Sequence, residues 1–192
     1  MKRAFDLAIT LVLLPVWGTM LVAAMAAVYL GMGGPVFYVS PRAGKDGEVF
    51  DFLKLRTMRS GPGSDGERLT KLGKILRKTS IDELPQLLHV LSGKMSLVGP
   101  RPLPARYLPR YSAWQKRRHE VLPGITGWAQ VNGRNTLEWD EKFRLDVWYV
   151  DHQSLALDLK ILALTLKKCA DFAGINHPKY DTMVEFKGET DQ

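Results

Sequence analysis

Residues 7–30 read LAITLVLLPVWGTMLVAAMAAVYL without a single charge, and no later stretch of the chain is charge-free for so long. A helix needs about 20 apolar residues to cross a hydrocarbon core of about 30 Å, so the pattern predicts a membrane segment. Pro15 interrupts it, because proline removes one intrahelical hydrogen bond and kinks the helix. At about 1.5 Å per residue the resulting arms, residues 7–14 and 16–30, are about 12 Å and 22 Å long, and neither spans alone. A kinked spanning helix of about 36 Å and a re-entrant hairpin both fit this pattern. Lys2 and Arg3 precede the run and Arg42, Lys45, Lys54, Arg56 and Arg59 follow it. Positive charge marks the cytoplasmic side, and here it flanks both ends, as a hairpin requires. A glycine-rich spacer, residues 31–35, separates the run from the second cluster, and pattern alone leaves the two architectures near even. A cleaved signal peptide fits less well, since its apolar core is about 7–15 residues and this run is longer, broken by Pro15 and preceded by Asp6.

Past residue 35 the period changes. Residues 36–39 and 48–55 have the composition of strands, and Gly44-Lys45-Asp46-Gly47 supplies a turn between them, which predicts a β-hairpin. Residues 60–66, SGPGSDG, are a loop by composition. Residues 68–78, RLTKLGKILRK, place Leu69, Leu72, Ile75 and Leu76 on one helical face and five basic residues elsewhere. A basic amphipathic helix beside a membrane anchor suits an anionic lipid surface, and packing on the core is the other reading. Residues 155–166 form an apolar stretch too short to span and broken by Asp158 and Lys160, as in a core or interface-seated helix. The elements sum to an α+β fold, with residues 1–34 as the membrane segment and its turn and residues 35–192 as a cytoplasmic or interfacial domain.

Composition sharpens this picture. The chain has 192 residues, 27 Lys+Arg and 20 Asp+Glu, for a net charge of +7, and is 45% hydrophobic. That is enough apolar residue for a sizeable core and excludes a disordered chain. The mean hydropathy of −0.13 conceals the contrast between the N-terminus and the rest. A lone cysteine, Cys169, excludes an intrachain disulfide framework and a cysteine-rich metal site. None of the four histidines falls in an HxxxH or HExxH pair, which disfavours a zinc hydrolase. No DNA- or RNA-binding motif accompanies the positive charge.

Thr79-Ser80-Ile81-Asp82-Glu83-Leu84-Pro85-Gln86-Leu87-Leu88 marks a helix start. With Asp82 as N-cap, Pro85 falls at the third helical position, where a missing N–H costs nothing; a Ser80/Glu83 capping box places it worse. Asp82 and Glu83 could serve only as cap and dipole partner. A carboxylate there could also attack phosphorus, being ionised at neutral pH without a base, while a divalent cation with phosphate sits at the positive end of the helix. Gly99-Pro100-Arg101-Pro102 holds one guanidinium between two prolines, suited to phosphate or to an ordinary turn. Residues 123–135, PGITGWAQVNGRN, could cradle a phosphate or nucleoside or form a tight turn around a packed Trp128.

Taken together these segments resemble the bacterial sugar transferase family, the small monotopic phosphoglycosyl transferases of the PglC type. The motifs are Lys2-Arg3-Ala4-Phe5-Asp6, Lys54-Leu55-Arg56-Thr57-Met58, Asp82-Glu83-Leu84-Pro85-Gln86-Leu87, Met95-Ser96-Leu97-Val98-Gly99-Pro100-Arg101-Pro102, residues 123–135, and Leu145-Asp146-Val147-Trp148-Tyr149-Val150. They occur in family order up to about Lys168. The resemblance implies transfer of a phosphosugar from a UDP-sugar to polyprenyl phosphate, notably undecaprenyl phosphate, with release of UMP. It implies a re-entrant membrane helix broken at Pro15, with Lys2 and Arg3 at the lipid surface, and a location at the cytoplasmic face of the bacterial inner membrane in contact with phospholipid. It assigns catalysis to Asp82 and Glu83, with Asp82 as nucleophile and as ligand to Mg2+, and substrate binding to Lys54, Arg56, Arg101 and Arg134. No nucleic acid enters this reading, and a homodimer stays open, as do the sugar and the pathway. Two departures stand out: Leu14-Pro15 replaces the family's Ser-Pro at the break, and Leu55 replaces the Phe of Lys-Phe-Arg-Thr-Met. Relative to larger family members the chain is close to a minimal catalytic unit. The rival reading is a membrane-anchored, non-catalytic binder of anionic lipid or nucleic acid.

Overall fold

The computed structural model describes residues 1–133, 137–170 and 185–188. In order, the elements are α1 (Lys2–Val12), α2 (Leu14–Met32), β1 (Phe37–Ala43), β2 (Val49–Leu55), α3 (Asp65–Arg68), α4 (Lys71–Thr79), α5 (Gln86–Leu91), β3 (Ser96–Val98), α6 (Ala113–Lys116), β4 (Gly124–Thr126), α7 (Trp128–Asn132), α8 (Trp139–His152) and α9 (Leu155–Ala170), with short 3-10 turns between some of them. Strand β1 pairs with β2, and β3 with β4 in parallel, Ser96 opposite Gly124 and Val98 opposite Thr126. The mixed helix and sheet content matches the predicted α+β class.

Two compact units result: Met1–Ser40 with Phe52–Ser92, and Pro41–Asp51 with the described part of Gly93–Gln192. This division by contact differs from the expected division by medium at residue 34. The reason is that Val28 at the end of the apolar run packs with Leu55 and Leu76, and Met32 with the same cluster.

In the first unit the apolar run is interrupted as predicted, but two residues earlier. The chain breaks at Leu13, so Pro15 lies in the first turn of α2, where its missing N–H leaves no helical bond unmade. The longer arm therefore has 19 residues, and at about 1.5 Å each it measures about 28 Å. Of the described helices it is the one long and apolar enough to cross a membrane, which corrects the expectation that neither arm could. Val12 is 76% and Leu30 is 85% exposed, and Leu11, Leu13, Leu14, Val16 and Val22 are exposed as well. So much bare apolar surface suits a hydrocarbon medium, and this helix is fit to anchor the protein in a membrane. Its other face is sealed: Trp17, Leu21, Ala24 and Val28 are buried with Leu55 and Leu76.

The amphipathic helix starts three residues later than predicted. Thr70 is its N-cap, and its hydroxyl accepts from the Gly73 N–H at 2.9 Å, so Leu69 stays extended. Leu76 faces the core whereas Ile75 stands exposed among Lys71, Lys74 and Lys78. Gly73 is required where it stands, because a Cβ there would lie 2.0 Å from the Thr57 carbonyl oxygen.

The second unit has an aromatic core of Tyr107, Tyr111, Phe143 and Phe186, joined by Trp139. Its parallel strands approach so closely that a Cβ on Gly124 would lie 2.0 Å from the Gly99 nitrogen, and one on Gly127 2.1 Å from the Gly99 carbonyl oxygen. Of the roles open to the glycines of residues 123–135, backbone packing accounts for these two. Helix α9 buries Asp158 and Ile161 and exposes Leu155, Leu159 and Leu166.

Candidate active site

Ser80 terminates α4 in the left-handed conformation, at φ 58°, and redirects the chain into a 3-10 turn, Ile81–Glu83. The bonds Glu83 N–H to Ser80 O, at 3.1 Å, and Leu84 N–H to Ile81 O, at 3.2 Å, hold this turn. Helix α5 follows, with Pro85 at its N-cap position. Asp82 is therefore not the N-cap, and Ser80 makes no side-chain cap. Helical winding already begins at Ile81, and Pro85, lacking an N–H, stands where the tight turn relaxes into an α-helix.

Asp82 is buried and Glu83 half-buried on this turn. Adjacent carboxylates repel, and the cation that compensates comes from β2. The Lys54 Nζ lies 2.5 Å from Glu83 Oε1 and 3.7 Å from Asp82 Oδ2. Both acids thus converge on one cation, over a sequence separation that the linear pattern could not reveal. The strand is registered by its neighbour: the Leu53 N–H donates to His89 Nε2 at 3.2 Å, and Phe52 stacks on the same imidazole. This bond leaves Nε2 as the acceptor nitrogen of His89.

Arg56 lies elsewhere in the same unit. Its guanidinium donates to the carbonyls of Met32 and Gly33, both at 2.6 Å, and of Gly34 at 3.1 Å, so it caps the end of α2. Arg3 does the same for α5, donating to the carbonyls of Val90 at 2.5 Å and Leu91 at 3.1 Å. Lys2 is half-buried and Pro15 is exposed.

Arg101 belongs to the second unit, in the segment after β3. Its carbonyl accepts from Arg118 Nη2 at 2.8 Å. Arg118 is 3% exposed and is paired with buried Asp146, Nη2 to Oδ2 at 2.7 Å and Nε to Oδ2 at 3.1 Å. Burial pushes the Asp146 carboxyl above its ordinary range, and the charge and hydrogen bonds of Arg118 work against that rise. Phe143 and Tyr111 present ring faces to the guanidinium at 5.7 Å and 5.9 Å. Sequence reading singled out neither Arg118 nor Lys142. The available signal was Asp146, a lone acid in an apolar helical face, which calls for a buried cation. Arg134 lies outside the described residues.

Two carboxylates on one cation form an oxygen donor set suited to Mg2+, which typically takes one or two carboxylates and completes its shell with water and phosphate. Asp82 and Glu83 fit that ion. Among the described residues, no group of three His, Cys, Asp or Glu forms a closed protein cage.

The chain is 50% identical to the sugar transferase EpsL of Bacillus subtilis (strain 168) over 197 residues, covering 100% of this chain and 98% of that protein. It is 38% identical to the UDP-glucose:undecaprenyl-phosphate glucose-1-phosphate transferase of Escherichia coli (strain K12), covering 88% of this chain and 40% of that one. It is 35% identical to the undecaprenyl-phosphate galactose phosphotransferase of Salmonella typhimurium, covering 87% of this chain and 40% of that one. The family model for bacterial sugar transferases matches residues 1–171, and the chain belongs to that family.

Proposed function

We propose that this protein transfers a phosphosugar from a UDP-sugar to a polyprenyl phosphate and releases UMP. The observation that carries the reading is the Asp82-Glu83 pair, fixed on a tight turn and bridged by Lys54. The relatives named for transfer to undecaprenyl phosphate support that acceptor here.

An Asp82 carboxylate oxygen attacks the β-phosphorus of the donor. The bond between that phosphorus and the oxygen bridging to the α-phosphate breaks, and UMP departs with the electron pair. The phosphosugar is left on Asp82 as an acyl phosphate. A phosphate oxygen of the lipid then attacks the same phosphorus, the Asp82 oxygen leaves, and the carboxylate is regenerated with a lipid diphosphate sugar as product. Lys54 contacts both acids and presents a positive charge to incoming phosphate. Asp82, with Glu83 beside it, would hold Mg2+, which would supply charge neutralisation at the diphosphate. Arg101, in the second unit, provides a guanidinium for phosphate recognition.

At the membrane, the re-entrant reading rests on ties rather than lengths. Arg3 fastens the start of α1 to the end of α5, and Arg56 fastens the end of α2 to the segment after β2. Both ends of the apolar pair are thus joined to one polar unit, while the residues around the break are bare and apolar. A hairpin entering from the cytoplasmic face of the inner membrane meets both conditions. The exposed Ile75 and its flanking lysines suit a phospholipid surface.

The test is release of UMP from a panel of UDP-sugars by detergent-solubilised protein with undecaprenyl phosphate and Mg2+. Release from at least one donor, abolished in Asp82→Asn, is the expected result. No UMP from any donor would leave a membrane-anchored binder as the better reading.

A further inference from the structure

We propose that Gln86 is a positioning residue of the Asp82-Glu83 site: its buried side-chain amide accepts a hydrogen bond from water on the divalent cation and donates one to the Asp82 carboxylate. The inference rests on the proposed function and adds to it a residue that the two acids and Lys54 leave out. Every group it uses belongs to the first unit.

Gln86 opens α5 and is completely buried, at 0% exposed. Among the described residues neither its Nε2 nor its Oε1 has a hydrogen-bond partner. Protein interiors rarely keep an amide in that state, because each atom forgoes the hydrogen bonds it makes in water. An apolar side chain of the same length would fill the space without that cost, so packing alone gives no reason for an amide here.

Its place on the helix supplies a reason. From Ile81 the chain winds without interruption through the 3-10 turn, then through Leu84 at φ −53° and ψ −35° and Pro85 at φ −57° and ψ −20°, into α5. The Leu87 N–H donates to Leu84 O at 3.0 Å and the Leu88 N–H to Pro85 O at 3.1 Å, which carries the winding across the junction. Residues three and four apart on such a winding share a face, so Gln86 stands beside both Glu83 and Asp82. Helical side chains lean toward the N-terminus, which turns the Gln86 amide back over the turn that carries the two acids. Three residues further on, His89 is held by the Leu53 N–H, as Glu83 is held by Lys54, the next residue of β2. Gln86 is thus enclosed between two contacts to one strand, and packing keeps its amide close to the acids.

The chemistry of the cation accounts for the choice of an amide. Mg2+ gives up its water reluctantly and keeps several molecules when carboxylates bind it. A water on the cation has committed its lone pair and can only donate, so it calls for an acceptor, which Oε1 is. The carboxylate that binds the cation calls for a donor to fix its orientation, which Nε2 is. A third carboxylate would accept without donating and would add a like charge to two already adjacent. One neutral amide does both, and both of its atoms are then satisfied.

The experiment is Mn2+ binding, read from the EPR signal of the free ion, to the purified protein in detergent. Mn2+ replaces Mg2+ because both take oxygen ligands in octahedral geometry. Wild type, Asp82→Asn, Gln86→Met and Gln86→Asn are compared. Wild type is expected to bind and Asp82→Asn to lose the ion, which puts it at the acids. Gln86→Met is expected to bind about 10–100-fold more weakly, the usual consequence of losing a group that orients a metal ligand, while its unfolding midpoint stays at or above that of wild type. An amide that serves only the core, through an internal water, gives the reverse in Gln86→Met, unchanged affinity with a lower midpoint. That result overturns the inference, as does a wild type that binds no Mn2+ or binding that survives in Asp82→Asn. If Gln86→Met does not fold, Gln86→Asn decides, since it keeps an amide but withdraws it by one methylene: weaker binding supports the inference and wild-type binding overturns it. Wild type that releases UMP while Gln86→Met binds Mn2+ as wild type does overturns only this inference. Wild type that releases no UMP from any donor overturns the proposed function as well.

Discussion

The Trp17 indole N–H donates to the carbonyl oxygen of Thr10 at 2.9 Å, across the break between α1 and α2. Both residues are buried. The break frees carbonyls that a continuous helix would satisfy, and Leu14 offers no hydroxyl in the place where family members often carry serine. Trp17 fills that role from the far side of the break, while the Thr19 hydroxyl donates to the Pro15 carbonyl at 2.8 Å. In Trp17→Phe the ring bulk stays and the donor is lost. The expected loss is about 1–3 kcal/mol, the usual cost of a buried acceptor left unpaired. Thermal unfolding in detergent measures it, and Trp17→Phe with wild-type stability would mean the indole bond does not hold the break.

The ties made by Arg3 and Arg56 lead to a topology prediction. Cysteines placed at Lys2 and at Lys45, after replacement of Cys169, should react with a membrane-impermeant thiol reagent from the same side of sealed vesicles. Labelling from opposite sides would establish a spanning helix and remove the hairpin.

Lys54 bridges two acids that are neighbours in sequence. Removing its charge in Lys54→Met takes away a cation that both acids contact, which raises the cost of ionising them side by side. Turnover should fall about 100-fold, comparable to the loss of one electrostatic stabiliser in other sites, and the acidic limb of the pH profile should move upward. Lys54→Arg keeps the charge and should recover much of the rate. A Lys54→Met enzyme with an unmoved profile would separate Lys54 from the dyad.

How much of this was legible in the sequence depends on range. The apolar run, the hairpin, the basic helix and the dyad are local patterns, and each lies where its pattern placed it to within a few residues. Asp82 as N-cap was wrong because a left-handed Ser80 sets the turn, and a positive φ at serine leaves no compositional trace. The lengths of the two arms were misjudged because the break lies two residues before Pro15 and the helices run past both ends of the apolar run. The Lys54 bridge, the Arg3 and Arg56 caps and the Arg118–Asp146 pair join segments far apart in the chain, which periodicity cannot see. Gly73 has its reason outside the local pattern as well, in a carbonyl from another segment 2.0 Å from where a Cβ would lie.

Arg118 and Asp146 should be costly to separate and cheap to remove together. Arg118→Met leaves a buried carboxylate and the Arg101 carbonyl without their donor, for an expected loss of about 3–5 kcal/mol. In the double variant Arg118→Met with Asp146→Leu the uncompensated charge is gone, and stability should recover by more than half. Chemical denaturation of the set gives the coupling directly, and strictly additive losses would mean that the pair contributes no linked stability.

His119 supplies a pH dependence with a definite sign. Its ring is buried, Nδ1 lies 3.0 Å from the Gly44 carbonyl oxygen and so carries the proton, and burial lowers its pKa from 6.5 to about 4, with the Arg118 charge acting in the same direction. The unfolded chain takes up a proton near pH 6.5 that the folded protein refuses until about pH 4. Stability from this group is therefore complete above about pH 6.5 and declines as the pH falls toward 4, by up to about 3 kcal/mol at about 1.36 kcal/mol per unit. His119→Gln cannot ionise, so its stability should fall less steeply over that window. Unfolding midpoints measured between pH 7 and pH 4, window limits that bracket the two pKa values, check this. Parallel declines in wild type and variant would assign the acid sensitivity to other groups.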